Sequence, residues 1–302
     1  MLSVILPAYN EEAMLPKTAK TLCDLLLAEG ISYELIFVND GSTDRTQSIL
    51  QQLAQENNRI HYIRFSRNFG KEAAISAGLA MAKGQCVAVM DCDLQHPPKT
   101  LVQMYRLWEQ GYEVIEGVKR TRGRESAFYK CGAKSFYGIM SSASGIDMSR
   151  ASDFKLMDRK AVDALLSLPE FHKFFRALSA WVGYKTTSVE FDVQPREAGH
   201  SKWSTKKLFR YAVNNIMSFS SAPLQLVTWA GAITFLVAVV LGIQTLIRYF
   251  MGTAAAGFTT VILLLLFLGS ILMMGLGIIG MYIAKIYDEV KRRPRYIIAE
   301  MQ

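Results

Sequence analysis

From the first residues the chain lays short apolar runs between longer amphipathic ones. Nearly continuous apolar stretches fall at 3–6, 34–38, 61–65, 86–90 and 113–117, and helical periodicity runs through 12–27, 43–56 and 71–82. Short strands buried on both faces and separated by helices predict an α/β domain with a mostly parallel, doubly wound sheet. In such a sheet ligands sit beyond the carboxyl ends of the strands, so polar residues there are the first candidates for chemistry.

The pattern changes after residue 210. No Asp, Glu, Lys or Arg lies between Arg210 and Arg248, or between Arg248 and Lys285. Each gap exceeds the roughly 20 residues needed to cross about 30 Å of hydrocarbon, and 262–268 has no polar face. These gaps predict transmembrane spans at 224–247 and 258–284. Lys202, Lys206, Lys207 and Arg210 precede the first span; Lys285, Lys291, Arg292, Arg293 and Arg295 follow the second. The positive-inside rule then places both termini in the cytoplasm and the connecting loop outside. The opening strand has neither a charged leader nor a cleavage site, so no signal peptide is expected.

The resulting organisation is a cytoplasmic catalytic domain at 1–205, a juxtamembrane amphipathic segment at 206–222, a transmembrane hairpin at 223–287 and a basic tail at 288–302. A further stretch, 123–148, interleaves Phe128, Tyr129, Lys130, Lys134, Phe136 and Tyr137, and suits either a membrane surface or packing on the sheet. The net charge of +8 crowds the membrane flanks, where it meets anionic lipid, and nucleic acid is not expected as a partner. Cys23, Cys86, Cys92 and Cys131 form no CxxC pair and are expected as free thiols. Gly280 and Ala284 have the small-xxx-small spacing that allows helices to approach, which predicts a homo-oligomer.

Chemistry gathers at three strand ends. After the first strand comes Pro7-Ala8-Tyr9-Asn10-Glu11-Glu12, without the glycines a dinucleotide-binding turn needs. After the second comes Asn39-Asp40-Gly41-Ser42-Thr43-Asp44, where Ser42 or Thr43 is expected to cap the next helix and Asp40 to accept from a base or ribose. After the fourth comes Asp91-Cys92-Asp93-Leu94-Gln95, whose hard oxygens suit Mg²⁺ or Mn²⁺ shared with phosphate oxygens. The histidines show no metal-ligand spacing, and neither a serine-hydrolase elbow nor a Walker loop occurs.

Together with Arg67-Asn68-Phe69-Gly70-Lys71 and Ser152-Asp153-Phe154-Lys155-Leu156-Met157, these segments resemble the family 2 glycosyltransferases of GT-A fold. With two spans behind them, the closest likeness is to the polyprenyl-phosphate branch, bactoprenol glucosyltransferases and dolichol-phosphate mannose synthases among them. The resemblance implies that Pro7, Tyr9, Glu11 and Asp40 hold the nucleoside of a nucleotide-sugar donor, with Asp91 beside them. It implies that Asp91, Asp93 and Gln95 hold Mg²⁺ or Mn²⁺ and the diphosphate. Asp153 would stand near the acceptor phosphate and, with Asp93, carry catalysis. Arg120, Lys130, Arg196, Ser201 and Lys202 would bind phosphates of donor or of a polyprenyl phosphate acceptor. Lys155 departs from the arginine usual in that family. The competing readings are a processive polysaccharide synthase, disfavoured by two spans and the lack of Gln-x-x-Arg-Trp, and a non-catalytic membrane scaffold, disfavoured by the retained acidic residues.

Overall fold

The computed structural model describes residues 1–120, 152–171, 173–193, 222–252 and 257–302. The segments 123–148 and 208–221, and with them Lys130, Cys131, Arg196, Ser201 and Lys202, lie outside the described residues.

One unit, Met1–Thr205 with Arg293–Gln302, is built on an eight-stranded sheet. In chain order its strands are β1 (Leu2–Ala8), β2 (Tyr33–Asn39), β3 (Ile60–Phe65), β4 (Cys86–Val89), β5 (Val114–Lys119), β6 (Lys155–Asp158), β7 (Thr186–Phe191) and β8 (Ile298–Met301). They lie side by side as β7-β5-β6-β4-β1-β2-β3-β8. All run the same way except β6, antiparallel to β4 and β5, and β8, antiparallel to β3.

The alternation along β1 explains the layering. Leu2, Val4, Leu6 and Ala8 point into a core shared with α1 (Leu15–Ala28), α2 (Thr46–Glu56) and α4 (Pro98–Glu109). Ile5 points to the other face, where it meets α3 (Lys71–Met81) so closely at Gly78 that a side chain there would collide with it. Helices on both faces are what two-sided burial of the central strands requires. Two shorter helices follow β6: α5 (Arg159–Ser167), capped by the Asp158 carboxylate accepting from the Lys160 N–H, and α6 (Phe175–Trp181).

The C-terminus corrects the expected basic tail. After the second long helix the chain returns to the catalytic unit, and Ile298–Met301 extends the sheet beyond β3. Glu300 on β8 accepts hydrogen bonds from Tyr62, Gln47 and Gln51, and the Tyr296 ring stacks on Phe65 with centroids 5.0 Å apart. The charge run that reads as a solvated tail, Lys291 to Arg295, hides the four-residue strand Ile298–Met301 behind it.

The other unit, Lys206–Arg292, contributes α7 (Ala222–Phe250) and α8 (Phe258–Lys291). Both are long and apolar enough to cross a membrane: Pro223–Thr245 has a mean hydropathy of 2.3 and Phe267–Lys291 of 2.0. Neither hides its apolar surface, with Trp229, Phe235, Leu265 and Leu272 all more than half exposed, which a soluble core helix would not do.

Candidate active site

The loops after β1 and β2 are stitched into one ledge. Asn10 donates its N–H to the Ser42 hydroxyl at 2.9 Å, and its side-chain oxygen accepts the Thr43 N–H at 2.9 Å. Glu11 donates its N–H to the Thr46 hydroxyl, and the Glu12 carboxylate accepts the Arg45 N–H. Ser42 and Thr43 therefore do not cap α2 as the sequence suggests; Asp44 accepts the Thr46 N–H instead. Pro7 and Glu11 are half-buried on this ledge, and Tyr9 is exposed at its rim.

Asp40 is at the expected strand end but turned elsewhere. It is 4% exposed, and its carboxylate accepts the N–H groups of Phe69 (2.6 Å) and Gly70 (2.9 Å). Burial pushes its carboxyl above the usual range, against those two donors. Its carboxylate therefore ties β2 to the loop before α3, beside the ledge where a base or ribose is expected. Gly41 makes this tie possible: its φ is +65°, and a Cβ there would strike the backbone of Arg67 and Asn68.

On the other side of the switch in strand order, Met90 and Asp91 follow β4. Because β6 is antiparallel, the residues that precede it arrive at the same edge, Val89 opposite Lys155. Asp153 is thereby brought beside Asp91, which spacing alone could not establish. Lys71, the first residue of α3, joins them: its ammonium lies 2.6 Å from the Asp91 carboxylate and 3.0 Å from that of Asp153. The Arg176 guanidinium on α6 donates to both Asp153 oxygens, at 2.6 and 2.7 Å. Asp153 is 13% exposed by side chain. Burial alone would raise its pKa, but the charges of Lys71 and Arg176 outweigh burial and hold it far below the carboxylate range. The same balance lowers Asp91 and raises Lys71.

Glu72, next along α3, accepts the Phe175 N–H at 2.9 Å. Burial first, and the Asp153 charge second, push it up to about 7. His96 lies against the Phe154 ring, 4.6 Å between centroids, and burial lowers its pKa, so it stands neutral beside the Asp91 N–H.

Lys71 belongs to a segment the sequence singles out, though without a role; Arg176 and Glu72 are missed. Nothing local in Phe174-Phe175-Arg176 says that it faces a carboxylate 23 residues away. Lys155 is buried at 0% exposure, with its ammonium on Glu116 at 3.0 Å and on the Ser179 hydroxyl. A lysine in place of arginine there costs no phosphate contact, because the position is an internal ion pair. Arg120, at the end of β5, is exposed and pairs with Glu190 and Asp192 at 3.5 Å.

The fit to a divalent ion rests on the donor set. Asp91 already holds a cation on its carboxylate, and Asp93 and Gln95 follow it in a turn where the Gln95 N–H donates to Asp93. Among the described residues no group of three or more His, Cys, Asp or Glu forms a closed metal cage. Two carboxylates and an amide suit Mg²⁺ or Mn²⁺ that takes its remaining oxygens from phosphate and water.

Comparison with known proteins agrees with this geometry. Residues 3–166 match the family described as Glycosyl transferase family 2. An uncharacterized glycosyltransferase of Synechocystis sp. is 38% identical, covering 99% of this chain and 95% of its own length. A prophage bactoprenol glucosyl transferase homolog of Escherichia coli is 33% identical across 100% and 99%, and the SfII prophage-derived bactoprenol glucosyl transferase of Shigella flexneri 35% across 98% and 97%. Among solved structures, glucosyl-3-phosphoglycerate synthase of Mycobacterium tuberculosis, in complex with Mn²⁺, UDP-glucose and phosphoglyceric acid, superposes with a TM-score of 0.53 at 20% identity. That match covers 72% of this chain and 78% of the synthase, and it shows a common GT-A fold. The chain is a glycosyltransferase and belongs to glycosyl transferase family 2.

Proposed function

We propose that this glycosyltransferase moves a sugar from a nucleotide diphosphate, UDP before GDP, to a polyprenyl phosphate at the cytoplasmic face of the inner membrane. The carrying observation is the Asp91–Lys71–Asp153–Arg176 network beside Asp93 at the carboxyl edge of the sheet. The bactoprenol glucosyl transferase names of its relatives and the two exposed apolar helices support a lipid acceptor.

In this reading Pro7, Tyr9 and Glu11 contact the nucleoside, and Asp40 shapes that ledge through the Phe69–Gly70 backbone. Asp91, Asp93 and Gln95 would hold Mg²⁺ or Mn²⁺, which supplies charge neutralisation on the diphosphate leaving group. A phosphate monoester is largely dianionic at neutral pH, its second pKa being about 6, so the acceptor oxygen needs no strong base. Asp153, held ionised by two cations, is a weak base and suits orientation of the acceptor and of Lys71 and Arg176. Those cations, with Arg120, Lys130, Arg196, Ser201 and Lys202, bring two anionic substrates together. Direct displacement inverts the anomeric centre. Both termini are cytoplasmic, and copies associate through α8, where Gly280 has open space within 4 Å of a would-be Cβ.

The test is transfer of radiolabelled sugar from a panel of UDP- and GDP-sugars to undecaprenyl phosphate, with Mg²⁺ or Mn²⁺. Labelled lipid from one donor, lost on chelation and in Asp93→Ala, is the expected result. Nucleotide binding without labelled lipid would point to another acceptor, and no nucleotide binding would end the reading.

A further inference from the structure

Lys71 presents a conflict with the metal reading. Its ammonium stands 2.6 Å from the Asp91 carboxylate, where a divalent ion would also have to bind, at about 2.0–2.2 Å from oxygen. Two cations on one carboxylate repel each other. The position of Lys71 is not an accident of a loose side chain. It opens α3 directly after Gly70, whose φ of +97° and carbonyl bonds to Ala73 and Ala74 fix the helix start, and the Gly70 N–H is itself held by Asp40.

The second carboxylate shows that Lys71 can be redirected. Asp153 is paired through both oxygens with Arg176, so it keeps a cationic partner whether or not Lys71 stays on it. Asp91 is different: among the described residues, Lys71 is the one cation paired with its carboxylate. A lysine on a four-carbon stem, shared between one carboxylate with a second cation and one without, is arranged to let go of Asp91.

We propose that Lys71 is a built-in counter-ion that competes with the divalent ion for Asp91, so that the site admits the metal together with a nucleoside diphosphate and holds free metal poorly. The diphosphate supplies the anionic charge that accepts the displaced ammonium. Lys71 is thus a positioning residue that makes metal and donor binding mutually dependent. This rests on the donor-site reading above.

The test measures Mn²⁺ binding by the full chain in detergent micelles, with and without UDP, by titration calorimetry and by the paramagnetic signal of free Mn²⁺. In the wild type Mn²⁺ binds more tightly with UDP than without; equal affinity in the two conditions overturns the proposal with no variant needed. Lys71→Met is expected to bind Mn²⁺ without UDP about 10- to 100-fold more tightly than the wild type, the range of couplings within one ion-pair network. Lys71→Arg, which keeps the cation, should restore weak free-metal binding, and Lys71→Met with Asp91→Asn should abolish the gain. A Lys71→Met protein that binds free Mn²⁺ no better than the wild type overturns the inference alone, provided that the wild type binds Mn²⁺ with UDP. A wild type that binds Mn²⁺ in neither condition removes the donor-site reading itself.

Discussion

Asp40, buried, and Asp153, half-buried, both stand at the carboxyl edge of the sheet, yet they are held by opposite means. Among the described residues Asp40 meets backbone N–H groups, from a loop that Gly41 lets approach, and burial dominates its titration. Asp153 meets two side-chain cations drawn from helices on either side of it in sequence, and their charge dominates. The first is a structural clasp whose parts are neutral dipoles. The second is a balanced set of full charges, which gains nothing for stability that an apolar cluster could not match but can be rearranged when charged substrates arrive.

Breaking the charged side has the largest expected effect. Asp153→Asn keeps the shape and removes the charge that Lys71 and Arg176 share. Transfer activity should fall by about 10²-fold, the scale of misplacing reacting groups. Stability should fall by about 3–5 kcal/mol, the scale of breaking a buried pair. Activity near wild type with lowered stability would make this network as structural as the Asp40 clasp.

Lys155 is the control for that test, a fully buried lysine whose partner Glu116 is 9% exposed by side chain. Lys155→Met strands the Glu116 charge and should also cost about 3–5 kcal/mol, while UDP affinity stays within about twofold in the fraction that folds. Adding Glu116→Leu should recover most of the loss, since replacing both partners by apolar groups is often neutral. Denaturant melts of the single and double variants measure both.

Glu72 sharpens the contrast through pH. Its folded pKa is raised from 4.5 to about 7, so between those values the folded state binds the extra proton and stability falls as pH rises. The full effect is about 3 kcal/mol. Asp153 has the reverse sign: its depressed pKa contributes stability above the unfolded value of 3.8, which is lost as pH falls below it. Thermal melts from pH 4.5 to 8 should therefore decline with pH, and Glu72→Gln should flatten that decline. An unchanged slope in the variant would assign the pH dependence to another group.

Legibility divides along the same line. The ledge of Tyr9–Glu12 and Asn39–Asp44 is readable because strand alternation and turn residues are local, and strand ends mark ligand edges. Asp91 and Asp93 are readable as a spaced pair for the same reason. Asp153 is reached only through the family resemblance, because an antiparallel strand inserted between β4 and β5 brings it to the edge, and sequence order gives no sign of that insertion. Arg176 and Glu72 depend on how α6 docks near α3, a long-range packing event. The C-terminal strand is hidden for a third reason: Ile298–Met301 is four residues long and follows a charge run, so neither length nor composition distinguishes it from a tail.

On the neutral side, Asp40→Asn turns one of two acceptor oxygens into a donor that faces the Gly70 N–H. The expected cost is about 1–3 kcal/mol, with faster amide exchange confined to Phe69 and Gly70 and weaker UDP binding. Exchange that quickens equally along α3 would mean that Asp40 supports the helix rather than the ledge.

The smallest effect is expected where the chain returns to the sheet. Glu300 gathers Tyr62 of β3 and Gln47 and Gln51 of α2 onto β8. Glu300→Ala removes three hydrogen bonds that water can replace, so the catalytic unit should lose about 2–4 °C in Tm and keep its UDP and Mn²⁺ affinities. A fall in donor affinity of tenfold or more would show that β8 reaches the ledge through β2 and β3, and that the strand following the second apolar helix reports on the site. Unchanged affinity would leave β8 as an edge cover: an antiparallel strand that closes the open hydrogen-bonding row of β3.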